Sequence, residues 1–183
     1  MDNVLDRPWT TESFLAWEDR QEGKYEFDGR DVIPITGGSY AHQRIVFNLC
    51  LALTGLLRGR PLLAAHEMRL RIGRRIRYPD VVVCAAPLDQ ATRTLPDAVA
   101  IFEVLSDDTA ATDRVTKLID YSDVASLRVY VLLEQTQAAA TMFRREAGGE
   151  WVASPHTGGG LDLPGLDITL PLPSLYEGLT FPA

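Results

Sequence analysis

A chain of 183 residues with 46% apolar and 23% charged side chains has the size of one domain and a globular composition, which excludes a disordered, collagenous or coiled-coil chain. Its formal charge of −7 argues against a broad polyanion-binding surface, because phosphate binding draws on Lys and Arg. The longest mainly apolar stretch, Ile45 to Leu57, contains Asn48 and Thr54 and falls short of the roughly 20 residues of a membrane span. MDNVLDRPWT also lacks the apolar core of a secretory leader, so the expectation is a cytoplasmic protein without a membrane segment.

Thr10 or Thr11 caps a first helix carrying Phe14, Leu15 and Trp17 and ending near Gly23, a face suited to packing on a sheet. KYEFDGRDVIPI reads as a hairpin turning at Asp28-Gly29, with Pro34 marking an edge. Ser39 then caps the strongest helix, Tyr40 to about Arg58, stopped by Gly59-Arg60-Pro61. Leu62 to Ile72 and Ile76 to Ala85 are strand-like and joined near Gly73. Ala98 to Leu105 is a strand, Thr109 to Ser122 a helix and Val129 to Leu133 a strand, an order that predicts a parallel pair inside a mixed sheet. Ala138 to Arg145 and Glu150 to Ser154 form a last hairpin; a Gly- and Pro-rich tail follows, closing on a short helix over Leu175 to Leu179. The expectation is a single domain over 1–183, with its core at about 9–135 and a C-terminal hairpin and tail at 136–183.

Cys50 and Cys84, the only cysteines, have apolar neighbours and read as small core hydrophobes, with neither a zinc site nor a disulfide framework. Three acids stand where acids are expensive: Glu26 in KYEF, Asp80 in YPDVVVC and Glu103 in AIFEVLS. A carboxylate beside an apolar strand needs a partner. If the strands of Asp80 and Glu103 are neighbours, the two acids either share a proton or bind a cation, and Mg²⁺ suits so sparse a set because it keeps waters and phosphate oxygens as its other ligands. Lys117, one of two lysines beside 16 arginines, follows on a helix face with Asp113 and Tyr121. It reads either as a donor orienting water or as half of an ordinary Asp113–Lys117 surface pair. His42 is either a base or phosphate contact, or a solvated helix-start residue. Arg58 to Arg77 hold seven arginines against one acid, Glu67, which is either a polyanion-binding strip or the solvent face of a strand. The usual signatures of nucleotide hydrolysis, dinucleotide redox chemistry, zinc proteolysis and α/β-hydrolase catalysis are missing. A glycosidase also uses two carboxylates, but the tryptophans at 9, 17 and 151 lie outside the acidic strands.

YEFDG, AHQRIV, YPDVVV, FEVLS and DRVTKLIDY, in that order from about Trp9 to Leu133, resemble the Uma-type restriction endonuclease family, a branch of the PD-(D/E)XK nuclease superfamily. The resemblance implies an α/β (α+β) fold: a restriction-endonuclease-like core, its central mixed β-sheet flanked by helices, here with extra β-hairpins. It implies Asp80 and Glu103 as ligands of Mg²⁺, with Mn²⁺ as a substitute, and Glu26 as an additional ligand. The superfamily's usual Lys would stand where this chain has Leu105; in the Uma-type pattern it maps instead to Lys117, as the residue orienting the attacking water. His42 matches the family's helix-start HQ and contacts substrate or a metal-bound water. The implied activity is endonucleolytic hydrolysis of nucleic acid, DNA in preference to RNA, with Arg69, Arg71, Arg74, Arg75 and Arg77 on the phosphate backbone and a homodimer suited to double-strand cleavage. The rival expectation is a catalytically silent nuclease-fold module that binds nucleic acid or a protein partner.

Overall fold

The computed structural model of the protein describes residues 9–105 and 110–181, with backbone alone over 110–115. Its elements are α1 (Thr11–Glu18), β1 (Tyr25–Phe27), β2 (Val32–Pro34), α2 (Tyr40–Leu56), β3 (Leu62–His66), β4 (Arg69–Ile72), β5 (Arg75–Arg77), β6 (Val81–Ala85), β7 (Thr94–Leu95), β8 (Ala100–Val104), α3 (Ala110–Ser122), β9 (Val129–Leu133), β10 (Ala140–Arg145), β11 (Trp151–His156), β12 (Gly160–Leu163) and β13 (Ile168–Pro171), closed by a 3₁₀ turn at Leu172–Tyr176.

The strands form a mixed six-stranded sheet, β11-β10-β9-β8-β6-β3, a five-stranded sheet, β2-β1-β5-β4-β7, and the separate β12-β13 hairpin. β8 and β9 are parallel with α3 between them in the chain, as a crossover of that length requires. Both faces of the large sheet are covered, so its central strands are continuous apolar runs. On one face Val81, Val83, Phe102 and Val131 pack with Ile45, Leu49 and Leu53 of α2 and with Leu161, Leu163 and Leu170 of the hairpin. On the other, Val82, Ile101, Tyr130 and Leu132 pack with Leu70 and Leu95 of the small sheet and with Tyr121 of α3. Helix α1 covers the small sheet, where Phe14 stacks on Phe27 at 5.2 Å between centroids.

The caps explain where the helices begin. Thr10 forms a reciprocal capping box with Ser13, and the Ser39 hydroxyl accepts from the His42 backbone N–H, each satisfying an orphan donor of the first turn. At the first hairpin, Asp28 Oδ1 accepts from the N–H groups of Arg30 and Asp31, and Gly29 takes a positive φ of 97°, where a side chain would strain the backbone. Pro34 lies on β2, an edge strand, where its missing N–H costs no ladder bond. Cys84 is buried and Cys50 half-buried, and both are free thiols.

The structure departs from the sequence reading in two places. The runs Leu62 to Ile72 and Ile76 to Ala85 are not two strands but four: β3 and β6 belong to the large sheet, β4 and β5 to the small one. Each run changes sheet at one level, where the Glu67 N–H donates to the Asp80 carbonyl and Glu67 adopts a φ of 50°. The Gly- and Pro-rich tail holds a further pair of strands. Its β12-β13 hairpin, paired from Gly160↔Pro171 to Leu163↔Ile168, carries the alternating Leu161, Leu163, Ile168 and Leu170 into the main core, and the closing turn begins at Leu172 rather than Leu175.

Candidate active site

Asp80 stands at the corner where the chain leaves β5 for β6. The β6–β8 ladder pairs Val81 with Phe102, and one step further along the same antiparallel register Asp80 falls opposite Glu103. The two acids expected to be neighbours are neighbours. The Val104 N–H donates to Asp80 Oδ2 at 2.7 Å, and His42 Nε2 lies 3.1 Å from the same oxygen. Across the ladder, Glu103 Oε1 accepts from the Tyr121 hydroxyl at 2.6 Å and lies 3.2 Å from Lys117 Nζ. Among the described residues, each carboxylate is held through one oxygen. Among the described residues no hydrogen bond reaches Asp80 Oδ1 or Glu103 Oε2.

Burial dominates the electrostatics of Glu103. Glu103 is only 5% exposed, and burial pushes its carboxyl up to about 7; the Asp80 charge adds to the rise, while Lys117 and the Tyr121 hydroxyl oppose it. The Asp80 carboxylate raises the His42 imidazole above its ordinary value against the opposing effect of burial. The His42 ring packs so closely on the backbone that a Cβ at Gly38 would stand 2.6 Å from Nδ1, so only glycine fits there. Nδ1 itself is buried without a partner among the described residues.

Glu26 lies on β1, in the small sheet, and both of its oxygens are engaged. Oε1 accepts from the Tyr78 N–H at 3.0 Å and Oε2 from Arg77 at 2.9 Å. The expected open third ligand is thus a buried ion-pair partner, because β5 places Arg77 beside it. Among the described residues no three His, Cys, Asp or Glu side chains converge on one point as a ready-made metal cage. Two carboxylates with one committed oxygen apiece do fit Mg²⁺, which binds through one or two protein carboxylates and otherwise keeps waters and phosphate oxygens.

The arginine strip is mostly consumed inside the molecule. Arg77 is 3% exposed and donates to Glu26 through Nη1 and to Asp120 Oδ2 through both Nε and Nη2. Arg75 bridges Asp120 and Asp123, and Arg69 is held by Glu18, Asp19 and the Tyr78 hydroxyl. Arg71 pairs with Glu12 but keeps 43% of its side chain exposed, and Arg74 is exposed. Of the five arginines expected on the phosphate backbone, Arg69, Arg75 and Arg77 hold carboxylates, because those strands face α1 and α3. Asp113 lies outside the residues whose side chains are described. Sequence reasoning placed Tyr121 on the Lys117 face without giving it a role, and it missed Asp120; the signal for both was their i+3 and i+4 spacing from Lys117.

Residues 11–180 match the family model Uma2, described as "putative restriction endonuclease". The chain belongs to the Uma2 family. Two uncharacterized Synechocystis proteins are similar to it: slr1290 is 27% identical over 93% of this chain and 92% of that protein, and sll1609 is 29% identical over 78% and 84%. The crystal structure of an Anabaena variabilis protein, described as "a putative nuclease belonging to DUF820", superposes with a TM-score of 0.77 at 17% identity, covering 92% of this chain and 98% of the other. At that identity the likeness establishes the fold: this Uma2 protein has the mixed α+β architecture of its structural neighbour. Among the described residues no helix is long and apolar enough to cross a membrane.

Proposed function

We propose that this Uma2 protein is a divalent-metal-dependent endonuclease that hydrolyses phosphodiester bonds, with DNA as the substrate in preference to RNA. One observation carries the reading: Asp80 and Glu103 face each other across the β6–β8 ladder, each tied through one oxygen. Membership of a family described as a restriction endonuclease supports nucleic acid, and DNA within it, as the substrate.

Asp80 and Glu103 are the residues that would hold Mg²⁺ or, as a substitute, Mn²⁺. Such an ion, when bound, polarises a phosphoryl oxygen and lowers the pKa of a coordinated water. The protein's own part is positional. The Val104 N–H fixes Asp80, and the Lys117 ammonium, on a flexible stem beside Glu103, supplies positive charge and a donor for the attacking water. His42, held on Asp80 Oδ2, orients that carboxylate and takes or gives a proton near neutral pH. Glu26, with both oxygens engaged by Arg77 and the Tyr78 N–H, is not an open ligand. Cleavage of both strands of a duplex calls for two such sites, which a homodimer supplies.

The test is cleavage of a panel of single-stranded, double-stranded and structured DNA and RNA with Mg²⁺ or Mn²⁺. Asp80→Asn, Glu103→Gln and Lys117→Met, each folded, should lose about 10²-fold or more of the turnover. Equal cutting by wild type and variants would assign the activity to a contaminant. No cutting of any substrate with either ion would favour the silent binding module.

A further inference from the structure

The two donors on Glu103 Oε1 differ in kind. Lys117 Nζ, at 3.2 Å, ends a four-carbon stem that behaves as a mobile point charge. The Tyr121 hydroxyl, at 2.6 Å, ends a rigid ring with few torsions. That ring is fully buried and seated edge-on against Tyr130, with 5.2 Å between centroids. If Lys117 turns to a water during the reaction, one oxygen of Glu103 still needs a fixed partner.

We infer that Tyr121 is the positioning residue of the site: its hydroxyl keeps Glu103 Oε1 committed to the protein, leaving Oε2 for the cation and Lys117 for the attacking water. The inference rests on the nuclease reading above and adds a division of labour within it. Tyr121 sets how tightly the metal is held, and Lys117 sets the turnover.

Mn²⁺ binding to the full chain without nucleic acid, followed by calorimetry, separates the two. Tyr121→Phe keeps the ring and deletes the donor; lost outer-shell partners typically cost about 10–100-fold in metal affinity, and that weakening is expected here. The Mg²⁺ concentration giving half-maximal cleavage should rise by the same factor, with turnover at saturating metal within about threefold of wild type. Lys117→Met should show the opposite pattern, near-normal Mn²⁺ affinity with lost turnover. Tyr176→Phe removes another buried tyrosine hydroxyl, one that donates to the Ala139 carbonyl at 2.7 Å, and should bind Mn²⁺ as the wild type does. Wild-type affinity in Tyr121→Phe, or an equal loss in Tyr176→Phe, overturns the inference and leaves the nuclease reading intact. Should Tyr121→Phe fail to fold, Lys117→Met decides: retained affinity supports the rigid donor, and lost affinity overturns it. A wild-type chain that binds no Mn²⁺ overturns the metal reading and this inference together.

Discussion

Glu103 is a carboxylate on a strand whose other side chains are apolar and buried, and its environment holds the carboxyl up to about 7, chiefly through burial. A free glutamate in an unfolded chain titrates near 4.3, so the folded protein binds a proton more tightly than the unfolded one. The contribution of this group to stability is therefore complete below the unfolded value and lost as pH rises through about 7. His42, raised by Asp80, works in the same direction. Glu103→Gln removes the titration while keeping the shape. Without metal, urea unfolding should show the wild type losing stability relative to this variant between pH 5 and pH 8, by on the order of 3 kcal/mol. A difference that stays constant over that range would mean that Glu103 is not a strained acid.

At the scale of elements, α3 joins the two sheets through one face. Lys117 and Tyr121 reach Glu103 on the large sheet, while Asp120 reaches Arg75 and Arg77 on the small one. Asp120 is 4% exposed, and removing a partner from a buried ion pair leaves an uncompensated charge that costs about 3–5 kcal/mol. Asp120→Ala should be destabilised by that amount in denaturant melts; a loss under about 1 kcal/mol would mean that α3 does not depend on this anchor. The sequence disclosed α3, α2 with its Ser39 cap, the β8-α3-β9 crossover and the pairing of Asp80 with Glu103, because all rest on local periodicity and on acids out of place among apolar residues. It did not disclose the breaks at Glu67 and Tyr78–Asp80. A strand that changes sheets keeps an alternating pattern on either side of its corner, so the pattern alone cannot show the turn. Nor did it disclose the β12-β13 hairpin, whose short strands hide among Gly and Pro residues, or the consumption of Arg69, Arg75 and Arg77, whose carboxylate partners are distant in the chain.

For the whole molecule, the net charge of −7 and the engagement of Arg69, Arg75 and Arg77 with carboxylates lower the positive charge that this strip offers to a duplex, since salt-dependent binding scales with the phosphates neutralised. In the proposed function, charge at the site is supplied by a bound cation and Lys117. The clearest test of the account is thermal unfolding of the wild type, Asp80→Asn and Glu103→Gln at pH 8 with increasing Mg²⁺ and no nucleic acid. An ion that binds only the folded state at a hundredfold its Kd adds about 2.7 kcal/mol. The account predicts that gain in the wild type and its loss in both variants. Equal stabilisation of all three proteins, or none in the wild type, would contradict it.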